Sequence, residues 1–377
     1  MSNNRLQQLH DAGVSIWLDF IDRDLIASGR LRRMIEDDFV TGETTNPTIF
    51  EKALAEGTDY DEQLTAASRE LTPPELFELV ETDDVRAACD IFADVYARTS
   101  GGDGYVSIEV SPASANDADA TVREAQRLWH TVDRPNLMVK VPGTAEGASA
   151  VRQLISQGIN VNITLLFAIN AHARVIDAYI AGLEDRLRSG NPIDDVASVA
   201  SFFISRVDTE VDKRLDSLAA SKPEAERERI LRLKGKAAIA NAKLAYRLFE
   251  AKFSGERWER LAAKGARLQR PLWASTGTKN PEYSDTVYVE ELIGPNTVTT
   301  LPPATLDAFR DHGKVRQSIT EGLDQAQLCL AELEAHGISM EEVTDKLLVE
   351  GLASFQKSWD QLTAGLAKKM SQLVHAS

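Results

Sequence analysis

The chain has 377 residues, of which 43% are hydrophobic and 27% are charged, an ordinary balance for a folded protein with a large core. Its formal net charge is −16. This acidic excess argues against a surface that binds duplex nucleic acid or an anionic membrane. A site for an anionic metabolite would therefore need a local cluster of Lys or Arg.

The cysteines, the apolar segments and the absence of certain short motifs indicate where the protein is located and argue against zinc and nucleotide cofactors. Cys89 and Cys329 are the only cysteines, and they form neither a disulfide framework nor a zinc-binding spacing. Residues 1–13 lack the apolar core of a signal peptide, and the long uncharged stretch that includes 158–173 is interrupted by asparagines. Nucleotide-binding and metalloprotease motifs are absent. We expect a cytoplasmic protein with no metal, cofactor, nucleic-acid partner or membrane contact.

Short apolar segments alternate with longer segments of helix-forming composition. In chain order, the predicted strands are residues 14–19, 42–45 (the weakest), 106–110, 137–141, 159–164, 197–204, 270–274 and 296–300. Helical patterns lie between them, for example at 119–131 and 168–188. Strands separated by helices predict a parallel sheet, and eight of them favour an α/β fold of the TIM-type (β/α)8 barrel class with extra helices.

Two segments exceed what a minimal barrel needs. Residues 207–268 are helical in composition and highly charged, and residues 303–377 show apolar residues at helical spacing. No Pro/Gly/Ser-rich linker or fixed-period repeat divides the chain. We therefore predict one barrel domain over residues 1–377, with a helical insertion and a C-terminal helical extension packed outside it. These additions could cover the barrel mouth, form a dimer contact or thicken the shell.

Polar side chains occupy one face of four predicted strands. Alternate residues of a strand face opposite sides, and in these strands one phase is apolar while the other becomes polar toward the C-terminal end. The polar residues are Asp19, Glu109, Lys140 and Thr164. In a barrel this phase faces the lumen, and catalytic groups lie at its C-terminal end. We expect the four side chains to converge at one mouth.

Each polar residue alone has a simpler explanation. An Asp after a strand is commonly a helix N-cap or a turn residue, a Glu can lie at a solvated edge, and Thr164, like Asn162, could satisfy neighbouring backbone groups. Lys140 is the hardest to explain in this way, because lysine is almost never buried unpaired and its strand neighbours are apolar. The set as a whole favours a catalytic site.

The residue types on these strands suit carbon–carbon bond chemistry. A lysine buried among apolar groups is pushed toward its neutral form, and a neutral amine can attack a ketone to form a Schiff base. The iminium withdraws electrons from the adjacent C–C bond, whose cleavage in a β-hydroxy ketone needs a base for the hydroxyl proton. A second carboxylate can shuttle protons during carbinolamine dehydration. Lys140, Asp19 and Glu109 are therefore a minimal set for an aldol reaction without a metal.

Four ordered segments resemble the transaldolase family over about residues 14–300 of the chain. They are 42–50 (GETTNPTIF), 137–147 (LMVKVPGTAEG, similar to the family's Schiff-base lysine segment), 159–167 (INVNITLLF) and 202–208 (FFISRVD). The resemblance implies a TIM-type barrel that moves a dihydroxyacetone unit from sedoheptulose 7-phosphate to glyceraldehyde 3-phosphate. The products would be erythrose 4-phosphate and fructose 6-phosphate, in the non-oxidative pentose phosphate pathway.

The resemblance also implies roles, position by position, for the catalytic residues. Lys140 would be the nucleophile that forms the Schiff base. Asp19 would take the proton from the C4 hydroxyl during cleavage. Glu109 and Thr164 would hold the water that shuttles protons while the Schiff base forms and hydrolyses.

For substrate binding, the resemblance implies that Asn46 and Asn162 hydrogen-bond the dihydroxyacetone hydroxyls and the surroundings of the iminium. Arg206, just past the sixth predicted strand, fits the family's phosphate arginine, and the adjacent Ser205 is predicted to bind substrate with it. An Arg answers a phosphate dianion well. A surface salt bridge is the simpler alternative for Arg206.

The loop after the seventh strand offers Ser275 and Lys279 to the same phosphate, since late barrel loops commonly bind phosphate. Many relatives place an arginine here in a shorter loop, so Lys279 departs from the family pattern, and a solvated loop is the alternative. The segment 207–268 and the tail after residue 303 also differ from shorter relatives. We expect phosphorylated sugars as substrates and a monomer or homodimer.

Three other functions stay open at this point. An enzyme like fructose-6-phosphate aldolase would use the same lysine but release dihydroxyacetone to water. A sugar-phosphate isomerase would use Glu109 as base, but such enzymes often need a neutral His or a metal, and none of the six histidines lies in a predicted strand. A barrel that only binds sugar phosphates would leave Lys140 unexplained.

Overall fold

Eight strands form the centre of the protein, whose computed structural model describes residues 4–67 and 70–376; the other residues of the predicted 1–377 domain, including the start of the segment 1–13, lie outside this description. The strands are β1 Val14–Leu18, β2 Val40–Thr44, β3 Val106–Glu109, β4 Leu137–Pro142, β5 Val161–Leu166, β6 Ser198–Phe203, β7 Gln269–Ala274 and β8 Thr297–Leu301. Each predicted strand is present, with bounds within two residues of those predicted.

Helices follow or flank nearly every strand of the described chain. They are α1 Arg5–Asp11, α2 Arg23–Ala27, α3 Arg30–Asp37, α4 Pro47–Glu56, α5 Asp61–Ala67, α6 Pro73–Arg98, α7 Ala118–Val132, α8 Ala145–Gln157, α9 Ile169–Arg188, α10 Ser205–Ala219, α11 Glu224–Leu231, α12 Ala237–Lys252, α13 Glu256–Ala262, α14 Val287–Glu290, α15 Pro303–His312, α16 Leu323–Ala335 and α17 Met340–Ala376. A short 3-10 helix, Pro112–Ser114, follows β3. Among the described residues, none of these helices has the length and apolarity required to cross a membrane.

The strands close into a parallel barrel in chain order, with β8 paired to β1. This confirms the predicted (β/α)8 class. The register aligns Glu109 of β3 with Lys140 of β4, and Lys140 with Asn162 of β5. Residues at one level of a barrel and in one phase face the same part of the lumen, so three residues distant in sequence become neighbours.

The apolar residues form two cores, one on each face of the barrel strands. The outer core lies between the strands and helices and contains Val14, Ile16, Val139 and other residues of the predicted apolar phase. The inner core fills the lumen with the opposite phase, including Trp17 and Met138. The predicted assignment of faces is therefore confirmed. Gly42 is required beside Trp17, because a Cβ at residue 42 would lie 2.5 Å from the indole nitrogen.

A hydrogen-bonded charge network closes the N-terminal end of the lumen. Asp103, in the turn before β3, accepts hydrogen bonds from the Trp17 indole N–H at 2.8 Å and from the Ser15 hydroxyl. Arg270 of β7 donates to Ser15 at 2.6 Å and lies 3.6 Å from the Asp103 carboxylate. These buried groups satisfy one another's hydrogen-bonding capacity and close this end of the barrel. We call this set of residues the base network.

The two additional helical regions occupy different places. Helices α10 to α13, which contain most of the segment 207–268, lie between β6 and β7 in the chain and thicken the shell; α12 packs against α9 and α16. In the C-terminal extension, α17 packs on α4, α5, α6 and α10. It thereby crosses the mouth of the barrel at the C-terminal ends of the strands.

Candidate active site

A cavity of about 740 Å³ opens at the C-terminal end of the barrel. Its wall includes most of the site residues predicted from sequence: Asp19, Asn46, Glu109, Lys140, Thr164, Arg206, Ser275 and Lys279. The two remaining predicted residues, Asn162 and Ser205, are buried directly beside this wall. Strand ends far apart in the chain thus place carboxylates, amines, amides and hydroxyls around one space.

Lys140 lies deep in this cavity, with only 7% of its surface exposed. Its Nζ donates hydrogen bonds to the backbone carbonyl of Thr45 at 2.8 Å and to Glu109 Oε2 at 3.1 Å. The amine is therefore buried, as predicted, but paired with a carboxylate. A buried ion pair of this kind is retained at a cost in desolvation, which is typical of a group with a chemical role.

Glu109 is the acid that faces this amine. Burial raises the pKa of its carboxyl group; Lys140 opposes this shift in pKa, and the charge of Asp19 adds to it. A carboxylate whose pKa is raised is a stronger base than an exposed one. Glu109 can therefore accept a proton from the Lys140 ammonium across their hydrogen bond and leave a neutral, nucleophilic amine.

Asp19 lies one residue past β1 and is half-buried. Its carboxylate accepts a hydrogen bond from the Thr44 hydroxyl at 3.0 Å, and its backbone N–H donates to Leu301 of β8. The N-cap of the next helix is Asp22, which accepts from the Leu25 N–H. Asp19 is therefore not the helix cap, and it lies in the bend that follows β1, as the turn alternative expects.

Asn162 lies in the lumen beneath the cavity. Its side-chain N–H group donates to the Ser107 hydroxyl at 3.0 Å, and its side-chain oxygen accepts from the Ser201 hydroxyl at 2.6 Å. This chain of hydrogen bonds joins β3, β5 and β6. Asn162 is held next to Lys140 by these two bonds, and its amide keeps a second N–H and a second lone pair for a substrate contact.

The end of β5 departs from regular strand geometry. The pairing of β5 with β6 shifts register between Ile163 and Leu166, and Leu165 has φ of 58°, a backbone conformation that is unusual for a residue other than glycine. Because of this bulge, Thr164 and Leu165 both line the cavity although they are consecutive. The strain at Leu165 coincides with the site.

The side of the cavity near β6 and β7 carries the positive charge. Arg206 packs over the Phe203 ring at 5.4 Å, and among the described residues no carboxylate lies within ion-pair distance of it. Burial lowers the pKa of its guanidinium, while Asp19 opposes this shift in pKa. Lys279 is exposed at the rim. Arg206 forms no salt bridge within the described residues, so the salt-bridge alternative is not supported. Its guanidinium is a cation without an ion-pair partner there, and it faces the cavity.

Two serines connect the strand ends beneath these cations. The Ser205 and Ser275 hydroxyls are 3.0 Å apart, and the Ser205 N–H donates to the Ser275 carbonyl. Ser275 has φ of 57°, so the chain turns sharply after β7. On the opposite side, the Asn46 side-chain oxygen accepts the Ile49 N–H at 3.2 Å and caps the first turn of α4. The binding roles of all these residues stay predictions.

Several residues of the site were not predicted. Thr44 and Thr45 position Asp19 and Lys140, and both stand in the TTNP motif, which was the available signal. Ser107 and Ser201 could have been found from their lumen-facing phase. The α17 residues in the cavity wall, Gly351, Ser354, Phe355 and Ser358, carry no such signal. Within the described residues, no cluster of His, Cys, Asp and Glu is arranged to hold a metal ion.

Comparison with known proteins gives one consistent result. Residues 16–366 match the family described as transaldolase/fructose-6-phosphate aldolase. A transaldolase of Thermobifida fusca is 48% identical over 368 residues, which cover 97% of this chain and 98% of the relative. A transaldolase of Parafrankia sp. is 50% identical, with 95% of each chain covered. A transaldolase of Mycobacterium marinum is 47% identical, with 99% of each chain covered.

Proposed function

The chain belongs to the transaldolase/fructose-6-phosphate aldolase family, and from this premise we propose that it is a transaldolase. It transfers a dihydroxyacetone unit from a ketose phosphate, such as sedoheptulose 7-phosphate or fructose 6-phosphate, to an aldose phosphate through a Schiff base on Lys140. The observation that carries the proposal is the buried Lys140–Glu109 pair at the bottom of a cavity.

Schiff-base formation begins with proton transfer from the Lys140 ammonium to Glu109, which the hydrogen bond of 3.1 Å permits. The neutral amine attacks C2 of the ketose, and one of its two N–H protons passes to the former carbonyl oxygen, which becomes a carbinolamine hydroxyl. Glu109 then returns its proton to this hydroxyl, which leaves as water. Thr164 lines the cavity beside this point and can orient that water.

Cleavage of the C3–C4 bond then uses Asp19. Its carboxylate accepts the proton of the C4 hydroxyl, C4 becomes an aldehyde carbon, and the bonding electrons move to the iminium to give an enamine on Lys140. The hydrogen bond from Thr44 fixes the orientation of Asp19. The released aldose phosphate departs, and a second aldehyde reacts with the enamine by the same steps in reverse.

Phosphate binding belongs to the β6–β7 side of the cavity. Arg206, Ser275 and Lys279 line it, and a guanidinium, an ammonium and a hydroxyl together suit a phosphate dianion. A cation that is half-buried and unpaired among the described residues gains most from such an anion. This local charge counters the net charge of −16, which would otherwise repel the substrates.

Borohydride trapping tests the assignment of the nucleophile. Wild-type protein incubated with fructose 6-phosphate and borohydride should gain a stable adduct on the peptide that contains Lys140, and Lys140→Met should gain none, with activity reduced about 10⁴-fold. Lys279→Met is the matched control, because it removes another lysine of the same cavity and should still be labelled. An adduct on a different lysine would contradict the proposal.

A second measurement distinguishes transfer from simple aldol cleavage. A transaldolase consumes fructose 6-phosphate rapidly only when an acceptor such as erythrose 4-phosphate is present. An aldolase releases free dihydroxyacetone at a comparable rate without acceptor. Equal rates in the two conditions would favour the aldolase branch of the family.

A further inference from the structure

The middle of α17 forms part of the substrate cavity, and this extension is distant in sequence from every residue assigned above. Gly351, Ser354, Phe355 and Ser358 all line the cavity that holds Lys140. Their spacing of three and four residues places them on one face of the helix. α17 therefore presents a defined side, with two hydroxyl groups, to the bound substrate.

Contacts at both ends hold this helix across the mouth. Near its N-terminus, Lys346 lies 2.7 Å from Glu210 of α10. Near its C-terminus, the Lys369 ammonium lies 2.6 Å from Asp61 and donates to the Leu54 carbonyl at 3.0 Å. Between these anchors the helix approaches β5 closely, since a Cβ at Gly351 would lie 3.0 Å from the Leu165 side chain. The position of its inner face is thus fixed by the fold.

The hydroxyls on this face differ from others on the same helix. Thr344 and Thr363 donate to carbonyls one turn earlier in α17, each at 2.9 Å. Ser358 instead faces the Thr48 hydroxyl at 2.9 Å, and the exposed Ser354 hydroxyl takes part in none of the hydrogen bonds that α17 side chains make in the described part of the chain. A serine hydroxyl can donate one hydrogen bond and accept two, so both retain capacity for a ligand.

Depth in the cavity identifies the part of the substrate that these serines meet. Lys140 and Glu109 are 7% and 8% exposed, whereas Ser354 is exposed at the mouth. The three-carbon unit bonded to Lys140 occupies the deep end. Carbons that come from the acceptor aldehyde extend outward, and each of them carries a hydroxyl group except the last, which carries the phosphate.

We propose that Ser354 and Ser358 recognise hydroxyl groups on the acceptor-derived part of the sugar chain, which makes α17 a specificity-determining wall. The inference rests on the proposed transaldolase function and adds the substrate-binding role of the C-terminal extension. Phe355 lies between the two serines in sequence and supplies an apolar surface for the C–H groups of the same chain.

Removal of the two hydroxyls tests the inference. In a Ser354→Ala/Ser358→Ala variant, we expect the KM for erythrose 4-phosphate to rise by about threefold to tenfold per lost hydrogen bond. The KM for glyceraldehyde 3-phosphate, which has one hydroxyl fewer, should rise less. Since the deep end is untouched, kcat and borohydride trapping with dihydroxyacetone should not change. Ser217→Ala, an exposed serine of α10 outside the cavity, is the matched control.

The outcomes separate this inference from the proposed function. Unchanged KM values for both acceptors would overturn it. An equal rise for both acceptors together with weaker trapping would also overturn it, because α17 would then act only as structural support. Failure of the proposed function appears in the wild-type chain, as absent trapping at Lys140, and failure of this inference appears only in the variant.

Discussion

The two ends of the barrel lumen both contain buried charges, but they use them differently. At the N-terminal end, Asp103 is surrounded by donors from Ser15, Trp17 and Arg270. At the C-terminal end, the amine of Lys140 has one carboxylate partner and faces a cavity of about 740 Å³. The base set belongs to β1, β7 and the turn before β3, and the mouth set belongs to β3 and β4, so the two sets lie at opposite ends of one barrel.

This difference shows how one barrel separates stability from chemistry. A buried charge whose hydrogen bonds are complete fixes the geometry around it, and the base network has this property. A charge next to an open cavity keeps capacity for substrate. We therefore expect substitutions at the base to change the free energy of unfolding and substitutions at the mouth to change rates.

Asp103→Ala gives the largest expected effect on stability. Without the carboxylate, the mostly buried guanidinium of Arg270 and the Trp17 indole N–H lose their partner, at a cost of about 3–5 kcal/mol. Urea unfolding measures this loss. Asp103→Asn, which keeps an acceptor for Trp17, should lose less. If the folded Asp103→Ala variant traps substrate much more slowly than wild type, the separation between the two ends does not hold.

Glu109→Gln tests the opposite end. An amide cannot take the proton of Lys140, so Schiff-base formation should slow by about 10²–10⁴-fold. The free energy of unfolding should fall less than in Asp103→Ala, because the amide oxygen can still accept a hydrogen bond from Lys140. Because the pKa of Glu109 is raised, wild-type kcat/KM should fall as the pH drops through a value above the usual carboxylic acid range. This acid limb should vanish in the variant. Survival of the limb would assign it to another group.

Much of this fold could be predicted from sequence because strand and lumen patterns are local. Apolar alternation identified the strands and the faces on which Lys140 and Glu109 lie, and their convergence follows from barrel geometry alone. The family's motifs then supplied Asn46 and Arg206, which the structure places in the cavity wall. Their roles rest on the family resemblance.

Other parts of the site depend on packing that no local pattern encodes. The position of α17 across the mouth follows from long-range contacts such as Lys369 with Asp61. The bulge at Leu165 results from a register shift between neighbouring strands. The pairing of Lys140 with Glu109 was not predicted, because strand alternation gives the face of a residue and not its hydrogen bonds.

His172 sharpens the comparison, because it is a buried polar group at neither end of the lumen. It packs against the Phe202 ring, and neither ring nitrogen has a partner among the described residues. Burial lowers its pKa to about 4, so between pH 6.5 and 4 the unfolded chain binds a proton that the native state does not. The contribution of neutral His172 to the free energy of unfolding is fully present above pH 6.5 and is lost as the pH falls toward 4.

His172→Leu should remove this pH dependence. At pH 5 the variant should avoid the loss of about 2 kcal/mol in the free energy of unfolding that His172 causes in the wild type. The measurement is urea unfolding at pH 5 and pH 7, compared between the two proteins. An unchanged slope in His172→Leu would show that His172 does not cause the dependence.

Glu43 gives the smallest expected effect. It tests whether a buried ionisable group without a hydrogen-bond partner has to lie at the end of the lumen that holds the cavity. It lies on the outer face of β2, fully buried, and neither carboxyl oxygen has a partner in the described chain. Burial, and then the charges of Asp22 and Asp84, raise its pKa well above the usual range. The native state favours the protonated carboxyl of Glu43. Its contribution to the free energy of unfolding is therefore present at low pH and is lost as the pH rises through that raised pKa.

Glu43→Leu fills a similar volume without unpaired oxygens, so we expect it to stabilise the protein by about 1 kcal/mol at pH 7. The gain should be larger at pH 9, where the wild-type carboxyl is more strongly driven to ionise. Glu43→Gln, which retains an unpaired polar group but no charge, should gain less than Glu43→Leu. Thermal unfolding at pH 5, 7 and 9 compares the three proteins. If Glu43→Leu instead destabilises the fold and slows Schiff-base trapping, the carboxyl supports the site through β2, and unpaired charge away from the cavity also serves the chemistry.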